Sequence, residues 1–270
     1  VLDSAAWQTF RKAAESSAPV KLNLTESRWY QILHGLCYLH FITGNRSLSC
    51  SVPPEIRTVY DSLVTDGLIQ RKKHYDQIHL YAEAAADLYG VISQDDFVAL
   101  FNSQNEDKTS KEELFDALIR HIVVDAGYCF WDKYIVDIGF EDNGFADVSD
   151  LLTQIGDKPR YIPEKKEFLK YADWRYFEHN EHSRNLEDYL IHVCGVAPLL
   201  VPKIVTELHE SCMLSESFQN RFDLLAEHGI EFDGDQLNEF IRLLSAFDNS
   251  TRLWSNNGHS PNEIFSLYEQ

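Results

Sequence analysis

Histidine is the residue type that first suggests chemistry in this chain, which contains eleven of them. His179 and His182 are three residues apart, a spacing that lets two side chains share one helix face and one metal ion. A zinc site needs three or four ligands, and no H-E-x-x-H motif or other ligand run completes this pair. The sequence therefore favours a polar helix end at His179 and His182. A metal-assisted hydrolase that uses this pair with nearby acids is the alternative, and we predict no cofactor.

Other catalytic signatures are missing from the sequence. The adjacent carboxylates Asp95 and Asp96, like Glu112 and Glu113, do not share a helix face and lie where acids stabilise a helix start. The chain has no G-x-S-x-G, no G-x-x-x-x-G-K-[ST] and no G-x-G-x-x-G motif. We therefore predict no catalytic residue and expect a non-enzymatic protein.

Residues 156–174 form a basic and aromatic stretch in a chain whose formal net charge is −19. Over residues 156–175, six basic side chains stand against four acidic ones (Lys158, Arg160, Lys165, Lys166, Lys170 and Arg175 against Asp157, Glu164, Glu167 and Asp173). The prolines of the KPRYIP segment indicate an extended connector. Lys158, Arg160 and Tyr161 are therefore candidate binding residues, which would present a basic, aromatic edge to an acidic or peptide partner.

The second part of this stretch is predicted to be a helix that begins at Pro163, where a missing N–H has no cost. Phe168, Tyr171 and Trp174 or Arg175 fall on successive turns of that helix. They indicate an amphipathic helix that packs its aromatic side chains on the core. The stretch is then a structural hinge between two helical halves, and contact with a partner is the other interpretation.

A second polar and aromatic stretch, NSTRLWSNNGHSPNEIF, covers residues 249–265. It is predicted to be a helix connection with a turn at Asn257 and Gly258. Its alternative interpretation is a binding site, for which the candidate residues are Arg252, Trp254, Asn256 and His259.

Helix-start and helix-stop signals dominate the chain that positions these residues. Ser93, Ser110 and Ser260 each precede an acidic residue by three positions, the pattern of a capping box. Further helices are predicted from a cap at Thr25 through His40 to a stop at Gly44, from His74 to Tyr89, and after caps at Asn185 and Asp235.

Residues 128–140 are aromatic and β-branched around Asp132 and Lys133, which predicts a short β-hairpin. The order of three helices followed by a hairpin is that of a winged helix. Eight acidic and only three basic residues lie between positions 93 and 125, a balance that phosphate contacts do not tolerate. A nucleic-acid-binding winged-helix-like protein is therefore kept only as a further alternative. We predict a mainly α fold, a multi-helix assembly with a small hairpin near residues 128–140.

Composition narrows the class of protein. The hydrophobic fraction of 44% is that of a folded chain, and no apolar run is long enough to cross a membrane. The acidic excess argues against nucleic acid as a partner. Five cysteines without a C-x-x-C pair, and no export signal at the start, indicate free thiols in a reducing cytoplasm.

Three segments resemble a bacterial family of uncharacterised cytoplasmic proteins. They are LYGVISQDDFVALFNSQN (residues 88–105), KPRYIPEKKEFLKYAD (158–173) and the NSTRLWSNNGHSPNEIF stretch. Longer members of that family carry a C-terminal SEC-C motif, a small zinc-binding tail associated with protein contacts. The cysteines of that motif are absent here, so the resemblance implies neither zinc nor an activity.

The sequence leads to one interpretation of the whole chain. We predict an N-terminal helical domain (residues 1–155) with the winged-helix-like element and a C-terminal helical domain (residues 156–270). The expected function is that of a non-enzymatic protein-binding or regulatory module. Its partner is an unidentified protein, and the sequence does not specify the oligomeric state.

Overall fold

Helices make up most of the protein, as the capping signals predict. In the computed structural model, the described residues are 4–22, 33, 35, 38–44, 47–124 and 126–269. The α-helices, numbered in chain order over these residues, are α1 (Ser4–Glu15), α2 (Pro54–Leu63), α3 (Asp66–Tyr89), α4 (Gln94–Gln104), α5 (Lys111–Ile122), α6 (Ala146–Ile155), α7 (Lys165–Phe168), α8 (Glu181–His192), α9 (Val201–Met213), α10 (Phe218–Glu227), α11 (Gly234–Ser250) and α12 (Pro261–Tyr268).

The described part of the chain also contains two small antiparallel sheets. Their strands are β1 (Val20–Leu22), β2 (His40–Gly44), β3 (Ser47–Ser51), β4 (Val91–Ser93), β5 (Tyr128–Trp131) and β6 (Tyr134–Asp137). The strand orders are β1-β3-β2 and β4-β6-β5. The predicted class, mainly α with a small β element, is therefore confirmed.

The chain divides into two compact units. Unit 1 comprises Val1–His79 and Thr109–Ala126, and unit 2 comprises Leu80–Lys108 and Gly127–Gln270. Helix α3 contributes residues 66–79 to unit 1 and residues 80–89 to unit 2. Gly156, the predicted boundary, lies inside unit 2, so these units differ from a division into residues 1–155 and 156–270.

The core of unit 1 joins α1 to the β1-β3-β2 sheet. Phe10 and Ala14 of α1 are buried together with Cys50 of β3. Arg57 of α2 donates hydrogen bonds to the carbonyls of Ala14 and Ser16, the latter at 2.9 Å, and so satisfies carbonyls at the end of α1.

The helix predicted to run to His40 is wrong at its C-terminal end. His40–Gly44 is strand β2, in which His40 pairs with Ser51 and Gly44 with Ser47. A Gly-Asn dipeptide such as the one that begins at Gly44 is a common helix stop, but the pairing with β3 shows that residues 40–44 form a strand. The predicted cap Thr25 and the side chains of Trp29, Ile32 and Leu36 lie outside the described residues.

Helix α3 is longer than predicted, because it begins at Asp66 rather than at His74. Thr65 accepts a hydrogen bond from the backbone N–H of Leu68 at 3.2 Å and so helps to begin it. Gly67 therefore lies inside α3, and the preceding helix ends at Leu63.

The predicted hairpin is confirmed in unit 2. Strands β5 and β6 pair from Tyr128 with Asp137 to Trp131 with Tyr134, and Asp132 turns the chain with φ of 50°. Strand β4, which was not predicted, adds to the free edge of β6. Along the chain, α3, β4, α4, α5 and the hairpin follow one another, and α5 belongs to unit 1 whereas the hairpin belongs to unit 2.

Helix caps account for many boundaries in both units. Ser93 accepts from the N–H of Asp96 at 3.1 Å, and Ser260 forms a capping box with Glu263, as predicted. Two predicted caps are wrong: Asn180 rather than Asn185 caps α8, and Asp233 rather than Asp235 caps α11. Helices α8 to α11 enclose a core of apolar side chains that includes Leu190, Ile204, Leu208, Leu225, Phe240 and Leu244.

A stacked pair of imidazoles lies inside unit 1. The rings of His79 and His121 are 3.7 Å apart and nearly parallel. Burial lowers the pKa of His79 to about 4 and, together with His79 itself, that of His121 to about 3. Both are therefore neutral at pH 7.

The stack predicts a loss of stability in acid. The unfolded chain binds protons near the ordinary pKa of 6.5, whereas the folded chain binds them only near pH 3–4. The free energy of unfolding should thus be highest above pH 6.5 and should fall, as the pH is lowered to 4, by roughly 3 kcal/mol for each of the two histidines. Chemical denaturation of wild type and His121→Phe at pH 7, 5.5 and 4 checks this. A pH dependence that the substitution leaves unchanged would contradict the assignment.

Candidate functional site

The two stretches singled out in the sequence contact each other in unit 2. The backbone N–H of Tyr161 donates to the carbonyl of Asn257 at 3.1 Å, and the Asn257 amide donates to the carbonyl of Lys158 at 3.0 Å. Arg160 donates to the side-chain oxygen of Asn257 at 3.1 Å. Residues 158–161 and 252–259 therefore form one assembly, which we call the Arg252 cluster.

Arg252 lies at the centre of this cluster. It donates to both carboxylate oxygens of Glu178 at 3.0 and 3.1 Å and to Glu263 at 2.8 Å. Its guanidinium carbon lies 3.5 Å from the ring centroid of Tyr161, a cation–π contact. Burial alone would lower the pKa of Arg252, but hydrogen bonds and charge from Glu178 outweigh it and raise that pKa. Arg252 is thus a permanent cation held between two carboxylates.

Trp254 is the buried anchor of the cluster. Its indole N–H donates to the carbonyl of Asp87 at 2.7 Å, and its ring lies 5.6 Å from that of Phe140. The ring also fills the space above Gly90, whose φ is 68° and where a Cβ would come within 2.4 Å of it. Trp254 therefore packs as a core side chain.

The remaining candidate binding residues also form hydrogen bonds or ion pairs within unit 2. The Lys158 ammonium donates to the carbonyls of Gln154 and Ser255, each at 2.7 Å. Arg160 forms an ion pair with Asp96 at 3.4 Å, and His259 lies 3.2 Å from Glu263. Asn256 contributes a backbone N–H to a 3-10 turn, Trp254–Asn256. The structure thus brings the seven predicted binding residues together, and five of them have side-chain partners within unit 2 (Lys158, Arg160, Arg252, Trp254 and His259).

Sequence reasoning missed Asn257 as a contact residue of the cluster, and it missed Glu178, which binds the cluster through Arg252. Asn257, which bridges the two stretches, has φ of 54°, and its side chain is buried. Asparagine tolerates this left-handed conformation, so the Asn-Gly turn was the available signal. Glu178 gives no local signal, because only its contact with Arg252, 74 residues away, distinguishes it.

A cavity of about 20 Å³ lies next to Arg252. Asp87, Tyr171 and His209 contribute to its wall. Burial, reinforced by Asp137, raises the pKa of Asp87, and burial lowers the pKa of His209 to about 4. A buried carboxyl group and a neutral imidazole can hydrogen-bond a guest, but this volume admits one water molecule and no larger substrate.

The predicted metal pair is not completed. The Nδ1 atom of His179 lies 3.5 Å from Glu187, and its ring packs on Phe177. His182 lies in the first turn of α8, where its backbone N–H donates to the Asn180 side chain. Over the part of the chain that the structure describes, no group of three or more His, Cys, Asp or Glu residues could hold a metal. The structure thus adds nothing to the hydrolase alternative.

No protein-family model matches the chain. Neither the curated proteins nor the solved structures include a match. In the described part of the protein, every helix is too short or too polar to cross a lipid bilayer.

One pair of side chains near the cluster is turned to solvent. Helix α7 ends at Phe168 and continues as a 3-10 turn, Leu169–Ala172, so the predicted helical face does not reach Trp174. Phe168 and Tyr171 are buried, as predicted, whereas Trp174 is 66% exposed and Arg175 is also exposed, so the predicted inward position of Trp174 or Arg175 is wrong. The guanidinium of Arg175 lies 5.8 Å from the Trp174 ring centroid. We call this pair the Trp174 turn.

Proposed function

We propose that this chain is a non-enzymatic protein-binding or regulatory module that contacts its partner through the Trp174 turn. The observation that carries the proposal is an exposed indole with a guanidinium beside it. Tryptophan and arginine are the residues that most often dominate the energy of a protein interface. About two thirds of the Trp174 side chain is in contact with water. A complementary pocket that covered it would gain free energy in proportion to the apolar area removed from water.

Contacts of Tyr176 and Tyr171 hold the Trp174 turn in place. The N–H of Tyr176 donates to the carbonyl of Asp173 at 2.7 Å, and the Tyr176 ring packs edge-on against Tyr171 at 5.0 Å. The Tyr171 hydroxyl donates to Glu178, the residue that also holds Arg252. Such pre-organisation lowers the entropy lost on binding. This supports the proposal and gives the Arg252 cluster a supporting role.

Charge favours a partner with an acidic rim around an apolar pocket. Lys166 and Lys170 precede the turn and are exposed, in a stretch with a surplus of basic residues. Arg175 carries an exposed ion pair with Asp173, which contributes little and can be exchanged for a partner's carboxylate. The proposed surface is thus a basic, aromatic one, as the sequence predicted, but it is formed by residues 166–175 rather than by residues 158–161.

The proposal includes a cytoplasmic location. Cys50, Cys129, Cys194 and Cys212 are free thiols, while Cys37 lies outside the described residues. Burial raises the pKa of Cys129 to about 11 and also raises that of Cys212, so these thiols stay protonated and inert at neutral pH. Free, unreactive thiols suit a reducing compartment. Membership of the family that the chain resembles, in which no activity is established, is part of the same proposal.

Photo-crosslinking tests the Trp174 turn directly. A benzophenone amino acid is placed at position 174 or, as a matched control, at position 199, since Leu199 is 90% exposed in the same unit. Irradiation in the source cells should give a discrete protein adduct from position 174 and none from position 199. Adding Arg175→Ala should reduce the adduct at least about tenfold, because an interface arginine contributes roughly 1.4 kcal/mol or more.

Three results would contradict the proposal. They are adducts of the same mass and yield from both positions, no adduct from position 174, and an adduct that is insensitive to Arg175→Ala. The circular dichroism melting curve of each variant is the control for folding, and it should match that of wild type because both positions are exposed.

A further inference from the structure

An open cavity of about 290 Å³ lies within unit 1. Its walls come from α1, α2, α5 and the first part of α3. This volume is close to the lower end of the range for small-molecule sites, roughly 300–1,000 Å³. The cavity is therefore large enough for a ligand, in contrast to the water-sized one beside Arg252.

One wall of the unit 1 cavity is aromatic. The ring of Phe10 lies 5.6 Å from that of Tyr60 and 5.8 Å from that of Tyr38, and Trp7 lies 6.0 Å from Phe10. These rings contact one another in tilted or edge-on arrangements and so form a fixed apolar surface. Such a surface suits an apolar chain or ring.

The mouth of the cavity also has apolar side chains in contact with water. Val59 and Leu63 of α2 are 52% and 59% exposed and contribute to the cavity wall. A ligand that covered them would remove this apolar area from water and gain free energy in proportion to it.

Three basic side chains also line the cavity (Arg71, Lys72 and Arg120). Lys72 pairs with Asp76 at 2.6 Å, so these two charges cancel. Arg71 and Arg120 also contribute to the wall, and neither has a carboxylate partner among the residues that the structure describes. Arg120 lies over the ring of Tyr75, 5.9 Å from its centroid, which places the guanidinium beside the apolar surface. Among the described residues, the cavity thus carries two guanidiniums without a carboxylate partner, in a chain of net charge −19.

We propose that the unit 1 cavity binds a small amphipathic carboxylate, with its apolar tail against Trp7 and Phe10 and its carboxylate at Arg71 and Arg120. Guanidinium groups bind planar carboxylates through paired, charge-assisted hydrogen bonds. An alcohol of the same length lacks the anion, and an ammonium of the same length would be repelled. The site lies in unit 1, so it is separate from the Trp174 turn and does not depend on the function proposed for it.

Isothermal titration calorimetry of the full chain with decanoate, decan-1-ol and decyltrimethylammonium tests the site, with the two ionic ligands below their critical micelle concentrations and decan-1-ol below its solubility limit. Decanoate should bind at one site per chain. Decan-1-ol should bind at least about tenfold more weakly, since a charge-assisted hydrogen bond is worth that factor or more. Decyltrimethylammonium should show no binding.

Two variants assign the site to this cavity. Arg71→Gln/Arg120→Gln should weaken decanoate at least about tenfold, and Leu63→Glu should weaken it by placing a negative charge at the mouth. Arg242→Gln, which removes an exposed guanidinium from α11 in unit 2, should leave the affinity unchanged. Equal affinity for decanoate and decan-1-ol, unchanged decanoate binding by the double variant, or no binding of decanoate to wild type would each overturn the proposal.

Discussion

Replacing Arg252 with methionine should lower the free energy of unfolding by about 3 kcal/mol, because it leaves two carboxylates without their counter-ion. Glu178 and Glu263 are only 33% and 40% exposed, and both direct oxygens at the same guanidinium. The substitution also removes the cation from the face of Tyr161, which is worth a further ~1 kcal/mol at most in a partly wet site. Urea denaturation followed by circular dichroism measures the loss.

Arg242→Met is the matched control for this prediction. Arg242 pairs with Glu239 on α11, where the two side chains are 68% and 47% exposed, so its loss should cost less than about 1 kcal/mol. Adding Glu178→Gln to Arg252→Met should restore part of the stability, because the unpaired charge is then gone. Equal losses for Arg252→Met and Arg242→Met would show that the cluster is no stronger than a surface ion pair.

Gly90→Ala should destabilise the protein by about 3 kcal/mol, for two separable reasons. With φ of 68°, any residue other than glycine at this position has a strain of roughly 1–2 kcal/mol. A Cβ at Gly90 would also come within 2.4 Å of the Trp254 ring, which must then move away from the Asp87 carbonyl that it binds. Displacing a well-packed core side chain in this way adds about 1–3 kcal/mol.

Gly144→Ala separates the two effects. Gly144 has nearly the same φ, 66°, but an added Cβ would meet no atom within 4 Å. This control should therefore show the backbone strain alone, and its melting temperature should lie clearly above that of Gly90→Ala. Similar melting temperatures for the two variants would mean that Trp254 does not pack on Gly90.

Local signals predicted local structure well. The capping serines Ser93, Ser110 and Ser260 and the hairpin at Asp132 depend on neighbours within a few residues, so the sequence was sufficient. The strand at residues 40–44 was missed because its turn signal also ends helices, and only pairing with β3 distinguishes the two.

The candidate site was predicted as two separate stretches. Local sequence patterns could not predict that these stretches contact each other. Arg160 and Asn257 are 97 residues apart, and nothing in either stretch specifies the other. The exposure of Trp174 was missed for a related reason. Its helical spacing from Phe168 was correct, but α7 ends after a single turn, and the chain then turns Trp174 outward.

Residues 158–161 and 252–259 hold unit 2 together through their hydrogen bonds, and we propose that the Trp174 turn meets the partner. Hydrogen–deuterium exchange of the free chain, and of its complex with the cross-linked partner, tests both parts at once. The amides of Asn256, Asn257 and Gly258 are bonded inside the cluster, so they should exchange slowly and equally in both states. Residues 172–177 should gain protection only in the complex. Fast exchange at 253–259 in the free chain that slows on binding, with no change at 172–177, would contradict the account.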